Sequence, residues 1–134
     1  MKTTTPSNDT ATNATVVHRR YVAFSDAHYA GNLVDGAFAL KLFGDVGTNL
    51  SIETDGHEGL FAGYSSVEFL APIRGGDIVE AQATLVKKGN RSRTIDFELR
   101  VACRAADDTG RSRLLDQPII AVRARGTGVL PKDA

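Results

Sequence analysis

The chain has 134 residues, of which 42% are hydrophobic, and this suits one domain with its own core. Its 16 basic and 16 acidic residues give zero formal net charge, which argues against nucleic acid or anionic membranes as the main partner. A single cysteine, Cys103, excludes an internal disulfide and a multi-cysteine metal site. No signal-peptide core and no apolar run near the roughly 20 residues of a membrane span occur, so we expect a cytoplasmic protein.

The first half of the chain predicts a disordered lead, one strand and one long helix. Residues 1–15 are mostly Thr, Asn, Ser and Ala, which bury too little apolar surface to fold. A strand is predicted over 16–24 and a loop over 25–32, with Asn32 as the helix N-cap. Apolar residues at three- and four-residue spacing predict a helix over 33–53 that ends at Asp55–Gly56. The residues of this apolar stripe are Leu33, Val34, Ala37, Phe38, Leu42, Val46 and Leu50.

Four strand patterns follow the helix in direct succession, over 60–70, 77–88, 93–104 and 119–126. Consecutive strands joined by short turns predict a mainly antiparallel sheet, against which the helix buries its stripe. The sequence therefore predicts one α+β domain over 16–130. Because part of such a sheet stays uncovered, we also expect a homo-oligomer.

Two acids on the predicted helix attract attention because burial of a charge is costly without a partner or a task. Asp45 shares the apolar stripe, about 20° around the helix from Phe38. It is interpreted either as an active-site acid–base group with a raised pKa or as a buried acid satisfied by backbone donors. Asp35 in the first turn either stabilises the helix terminus or binds a substrate ammonium group.

Other polar groups lie around the start of the helix and on the strand after it. The N–H groups of Gly36 and Ala37 lack intrahelical partners and can stabilise an oxyanion. His28 in the preceding loop is interpreted either as a solvated side chain or as a functional one. Glu68 alternates with apolar neighbours, so it points to the opposite face, together with Tyr64 and Ser66. That face either meets solvent or lines a subunit interface, where Glu68 would meet ligand.

A basic turn follows, with Lys87, Lys88, Arg91 and Arg93 around Gly89–Asn90. Such residues form either a solvated surface or a phosphate-binding site, with Asn90, Ser92 and Arg93 as donors. Arg123 and Arg125 are a second basic candidate. The sequence has no phosphate-binding P-loop, dinucleotide fingerprint or zinc spacing.

Several segments together resemble a known family. DAHYAGNLVDGA before a long helix, then VEFLAPIRGGDIVEA and KKGNRSR, resemble the acyl-CoA-handling branch of the hotdog proteins. Within that branch AHYAGNLVDGA, LFGDVGT, DGHEGLFAGY, VEFLAP and GDIVEA resemble the 3-aminobutyryl-CoA and beta-alanyl-CoA ammonia lyases. The resemblance covers about residues 19–104. It implies a hotdog fold, in which a five-stranded antiparallel sheet wraps one central helix.

The resemblance also implies a function, a carbon–nitrogen lyase that reversibly converts 3-aminobutyryl-CoA into crotonyl-CoA and ammonia. Coenzyme A would be part of the substrate, no other cofactor or metal is expected, and the sites would lie at subunit interfaces of a dimer or higher oligomer. The implied catalytic set is Asp45 as the main acid–base residue, with His28, Asp35 and Glu68 as candidates for the second role. The implied binding set is Tyr29, Asn32, Gly36, Ala37, Tyr64, Ser66, Asn90, Ser92 and Arg93.

Two alternatives stay open at this point, an acyl-CoA thioesterase and a non-catalytic acyl-CoA binding module. Hotdog thioesterases resembling this chain carry an acid on the helix at a position that falls near Phe43 here. The nearest acid is Asp45, and this offset favours the lyase over the thioesterase.

Overall fold

A computed structural model describes residues 13–133. It contains one long helix, α1 (Gly36–Asp55), and a short 3₁₀ turn at Phe24–Asp26. The strands are β1 (Thr15–Tyr21), β2 (Leu60–Phe69), β3 (Ile78–Lys88), β4 (Ser92–Ala105) and β5 (Ser112–Val129). They form one sheet in the order β1-β3-β4-β5-β2, and every neighbouring pair is antiparallel. One helix against a five-stranded antiparallel sheet confirms the predicted α+β hotdog architecture.

The core lies between α1 and the inner face of β3 and β4. Alternate residues of these strands point inward, as the period-2 pattern of strands requires. The buried helix residues are Ala39, Leu42, Phe43, Val46 and Leu50. A Cβ on Gly47 would lie 3.1 Å from the Phe97 ring, so this glycine allows the close approach of helix and sheet. Gly44, in contrast, faces open space.

The helix starts three residues later than predicted, and its N-cap is Asp35 instead of Asn32. The Asp35 carboxylate accepts a hydrogen bond from the Phe38 N–H at 3.1 Å. Asn32 has a left-handed backbone (φ 62°) and belongs to the loop before the cap. The predicted end is confirmed, because Gly56 adopts the left-handed conformation at the C-cap.

The ends of two other predicted segments differ from the structure. Of the disordered lead predicted for residues 1–15, residues 1–12 lie outside the described residues. Residues 13–15 are ordered, since the Asn13 N–H donates to the Leu85 carbonyl and Thr15 pairs with Thr84. β5 begins at Ser112, before the predicted 119, because backbone pairing with the end of β4 extends it through a segment with little apolar pattern.

A buried ion pair joins the end of α1 to the start of β4. Asp55 accepts from Arg93 through both carboxylate oxygens, at 3.0 and 2.9 Å, and Lys88 Nζ lies 3.6 Å away. Burial would raise the pKa of Asp55, but the hydrogen bonds and charge of Arg93, with the charge of Lys88, hold this pKa below its usual value. Asp55 therefore stays ionised and anchors the helix C-terminus.

Within residues 13–133, no helix combines the length and the hydropathy that a membrane span needs. No group of three or more His, Cys, Asp or Glu side chains in the same range is arranged to bind a metal ion.

Substitution of Asp55 by Asn should lower the free energy of unfolding at pH 7 by about 3 kcal/mol, because it leaves the buried Arg93 charge uncompensated. Because the pKa of Asp55 is lowered in the folded state, the contribution of its charge to stability is complete above the unfolded-state pKa. This contribution is lost as pH falls through the folded-state pKa. Urea titrations of the wild-type protein and Asp55→Asn between pH 7 and pH 2.5 should therefore show a difference in unfolding free energy that narrows below about pH 4.

The matched control is Asp96→Asn. Asp96 also binds an arginine through two oxygens, Arg125 at 2.6 and 2.9 Å, but both side chains are about half exposed. This variant should lose less than about 1 kcal/mol. Equal losses in the two variants would contradict the role assigned to burial of the Asp55 pair.

Candidate active site

His28 and Asp35 form a hydrogen-bonded pair at the N-terminus of α1. The distance from His28 Nε2 to Asp35 Oδ2 is 2.7 Å. The bond to His28 is the main reason why the pKa of Asp35 lies below its usual value, and the N–H groups of Phe38 and Ala37 add to the effect. An ionised carboxylate only accepts hydrogen bonds, so Nε2 carries the proton and the lone pair of the neutral ring is on Nδ1.

Tyr29 flanks this pair. Its ring meets the His28 ring edge-on, with 4.8 Å between ring centroids, and its side chain is exposed. The structure thus brings together three predicted residues, His28, Tyr29 and Asp35.

An apolar cavity of about 520 Å³ opens beside Asp35 and Gly36. Its walls come from the start of α1, the end of β2, the turn after it and one residue of β5. The lining residues are Val34, Asp35, Gly36, Ala39, Phe69, Leu70, Ala71, Pro72, Ile73 and Val122.

Gly36 and Ala37 are the two predicted oxyanion donors, and they differ in whether the backbone N–H already has an acceptor. The Ala37 N–H is directed to the Asp35 carboxylate. The Gly36 N–H has no acceptor among residues 13–133, and it lies at the positive end of the helix dipole. A Cβ at position 36 would lie 3.0 Å from the Phe69 ring, so a glycine lets this ring close one side of the cavity. Sequence reasoning missed Phe69, which read only as an alternating strand residue.

Asp45 is not buried, and the prediction that it shares the apolar stripe is wrong. Its side chain is 46% exposed and lies 3.7 Å from Lys41 Nζ, one turn earlier. At about 100° per residue, Asp45 is about 120° from the centre of the buried helix face. It also lies about 15 Å along the helix axis from Asp35. The predicted stripe was centred too close to Phe38, which lies at the edge of the buried face.

Phe43, near which the thioesterase acid position falls, is fully buried and stacks on Phe97 with 5.0 Å between ring centroids. The surroundings of this position are therefore apolar. Asp45 lies on another side of the helix, so its carboxylate does not take the place of the thioesterase acid.

The three predicted β2 residues do not share one face. Glu68 pairs in register with Arg123 and Ser66 with Arg125, so both point away from α1. An irregularity between Tyr64 and Ser66 breaks the alternation and turns Tyr64 inward, where it packs against Phe97. Tyr64 is partly buried against the core, away from Glu68, and this burial raises the pKa of Tyr64.

The basic turn between β3 and β4 keeps only part of its predicted donor set. Arg93 is 6% exposed and is bound to Asp55, so it is not free to bind a ligand. Asn90 and Ser92 are exposed, and Asn90 lines a shallow depression of about 690 Å³ together with Arg91 and Lys132. Sequence reasoning placed Arg91 in the turn without assigning it to the site, and no pattern pointed to Lys132.

The second basic candidate is already paired. Arg125 binds Asp96, and Arg123 lies 3.4 Å from Glu98, both on the outer face of the sheet. A smaller cavity of about 130 Å³ lies at the C-terminal end of α1. Most of its lining is apolar, and its polar residues are Thr48, Ser51, Thr54, Glu58 and the Asp55–Arg93 pair. The Asp55–Arg93 pair is neutralised internally, and no histidine lines this cavity.

Comparison with known proteins gives the same family as the sequence motifs. Residues 36–102 match the model of the thioesterase superfamily. The chain is 49% identical over 110 residues to 3-aminobutyryl-CoA ammonia lyase of Acetoanaerobium sticklandii, covering 81% of this chain and 87% of the relative.

Solved structures agree with this assignment. Beta-alanyl-CoA:ammonia lyase from Clostridium propionicum superposes with a TM-score of 0.86 at 37% identity, over 90% of this chain and 87% of that one. A hexameric thioesterase from Yersinia pestis, at 23% identity, shares the fold with a TM-score of 0.70, over 87% of this chain and 86% of that one. The chain therefore belongs to the thioesterase superfamily of hotdog proteins and, within it, to the family of the acyl-CoA ammonia lyases.

Proposed function

We propose that this chain is a CoA-thioester lyase that reversibly eliminates ammonia from a short 3-aminoacyl-CoA, 3-aminobutyryl-CoA giving crotonyl-CoA. The observation that carries the proposal is the His28–Asp35 pair beside the free Gly36 N–H and the apolar cavity. The 49% identity to a 3-aminobutyryl-CoA ammonia lyase supports the choice of substrate.

The chemistry needs a base for the proton on C2 and a donor for the thioester oxygen. The thioester carbonyl acidifies the C2 proton, and its removal leaves negative charge on the carbonyl oxygen as an enolate. The Gly36 N–H, at the helix N-terminus, is the proposed donor to that oxygen. The enolate then expels the protonated amine from C3 as ammonia, and the proton from C2 converts this ammonia into ammonium.

His28 is the proposed base, through the lone pair on Nδ1. Asp35 is a weak base because its pKa is lowered, so its proposed role is to orient the imidazole and to stabilise the imidazolium that forms. This revises the sequence interpretation, in which Asp45 was the main acid–base residue. Asp35 was there interpreted as a helix-terminus stabiliser, a site for the substrate ammonium or a candidate for the second acid–base role. Asp45 and Glu68 stay predictions, and both side chains point away from the cavity of their own chain.

The acyl group is proposed to lie in the cavity, against Ala39, Phe69 and Val122. These side chains suit the methyl group of a four-carbon chain, and the Phe69 ring limits its length.

The nucleotide of coenzyme A is proposed to bind near Asn90 and Ser92, with Arg91 and Lys132 adding positive charge. This turn lies beside Asp55, at the C-terminal end of α1, whereas His28 lies at its N-terminal end. A 20-residue helix is about 30 Å long, so a single chain separates the two parts of the site widely.

A homodimer paired through the β2 edges resolves this separation. Antiparallel pairing of two β2 strands sets the helices antiparallel, so the basic turn of one subunit approaches the His28 end of the other. β2 is an edge strand, and its apolar Leu60, Phe61 and Phe69 are about half exposed or more. Sites at subunit interfaces follow from this arrangement, and the hexameric thioesterase with the same fold is consistent with higher assembly. The cytoplasmic location stays a prediction from sequence.

Purified protein incubated with crotonyl-CoA and ammonium should form the 3-amino adduct, detected by mass spectrometry, without release of free CoA. A thiol reagent gives the control reading. Free thiol without adduct would instead identify a thioesterase, and unchanged crotonyl-CoA that still binds would identify a non-catalytic binding module.

Substitution of His28 by Ala should lower kcat by about 100- to 10,000-fold, because it removes the base. Asp35→Asn keeps a good N-cap but loses the charge, and it should lower kcat by about 100-fold. Steady-state rates for both variants are compared with Asp45→Asn. Loss in Asp45→Asn with full activity in the other two would restore the assignment made from sequence and refute this one.

Sedimentation equilibrium should give an even multiple of the 14.3 kDa chain mass, because the β2 edge pairs two copies. A concentration-independent monomer that retains full lyase activity would contradict a site shared between subunits.

A further inference from the structure

The loop that carries His28 is joined to the turn between β2 and β3 at Asn32 and the two residues that follow it. The side-chain amide of Asn32 donates to the Gly75 carbonyl at 3.0 Å, and the backbone carbonyl of Asn32 accepts from the Gly75 N–H at 3.2 Å. Leu33 continues the contact as a bridge to Arg74, and the Val34 N–H donates to the Ile73 carbonyl at 3.1 Å. Residues 32–34 thus run antiparallel to residues 73–75.

The loop packs closely on the turn at Gly75, which is buried. A Cβ on Gly75 would lie 2.6 Å from Asn32 Oδ1, 3.0 Å from the Phe24 ring and 3.1 Å from Ala27 Cβ. Asn32 has a left-handed backbone, which asparagine tolerates better than most residues. Its conformation and its side-chain bond are therefore both specific to this contact.

The turn is itself fixed by a buried charge that the proposed chemistry does not use. Asp77 is 1% exposed and accepts from the Arg74 N–H at 2.8 Å. Arg104 donates to both oxygens of Asp77, at 3.0 and 2.9 Å, and to the Pro72 carbonyl at 2.9 Å. Such a satisfied, buried pair defines one conformation of the turn.

We propose that Asn32 is a positioning residue and not a substrate ligand: it fixes the loop of residues 27–32 to the 72–77 turn and thereby sets His28 against Asp35. Asp35 has independent anchors, because the Val34–Ile73 bond precedes it and the helix cap holds its carboxylate. His28 precedes a turn whose ends are paired, because the Tyr29 N–H donates to the Leu33 carbonyl at 3.0 Å and the Leu33 N–H to the Tyr29 carbonyl at 3.4 Å. Asn32 lies within this turn and holds it on Gly75. Loss of the Asn32 side chain should therefore release His28 while the cap stays intact.

The first measurement does not depend on activity and follows the pKa of the Asp35 carboxyl by ¹³C NMR. The bond to His28 is the main cause of the low pKa of Asp35, so loss of that bond should raise it. Asn32→Gly keeps the left-handed backbone accessible and removes only the amide. We expect the pKa of Asp35 to rise in this variant in the same direction as in His28→Ala.

The matched control is Asn13→Gly. Asn13 also has a left-handed backbone (φ 58°) but lies at the start of the chain's described part, before β1. This variant should leave both the pKa of Asp35 and the rate at the wild-type value. Asn32→Ala, which removes the donor without adding a charge, is a second variant that should repeat the rise if Asn32→Gly folds poorly.

The second measurement is kinetic and rests on the proposed lyase function. A displaced base should lower kcat by about 10- to 100-fold in Asn32→Gly, with KM for crotonyl-CoA changed less than about twofold. A raised KM with normal kcat would make Asn32 a ligand, as predicted from sequence, and would overturn the proposal. An unchanged pKa of Asp35 in both Asn32 variants would overturn it as well, even if the protein proved to have no lyase activity.

Discussion

The carboxylate of Asp35 is the constraint on which the site depends, because it serves two partners at once. One oxygen caps α1 through the Phe38 N–H, and the other accepts from His28. The cap fixes where the helix begins and leaves the Gly36 N–H free at the edge of the cavity. The bond to His28 fixes the imidazole in one tautomer, and both effects come from the same ionised group.

The fold could be predicted from sequence because its signals are periodic and local. Alternation in β3 and β4, the helical stripe and the Gly56 end are each visible over a few residues. The predictions were wrong where a small shift in helix angle or strand register changes the direction of a side chain. Asp45 follows Phe38 by two helical turns, yet Phe38 itself lies at the margin of the buried face. Tyr64 and Glu68 have the spacing of one strand face, but an irregularity between them separates the two.

The candidate site was harder to predict, because partners distant in sequence determine the availability of each group. Arg93 looks like a phosphate ligand in the turn, but Asp55, 38 residues earlier, binds it. Asn32 looks like an N-cap or a ligand, but Gly75 binds it from the other side of the fold. Only the pair His28 and Asp35, seven residues apart in one loop, was close enough in sequence for the motif to include both.

The shared use of Asp35 links the order of the first helical turn to the orientation of His28, the proposed base. Helix ends open locally with far less free energy than global unfolding requires. When the first turn of α1 frays, the cap and the orientation of His28 are lost in the same event. Opening of this one turn would therefore disable the proposed base while the sheet and the rest of the helix stay folded.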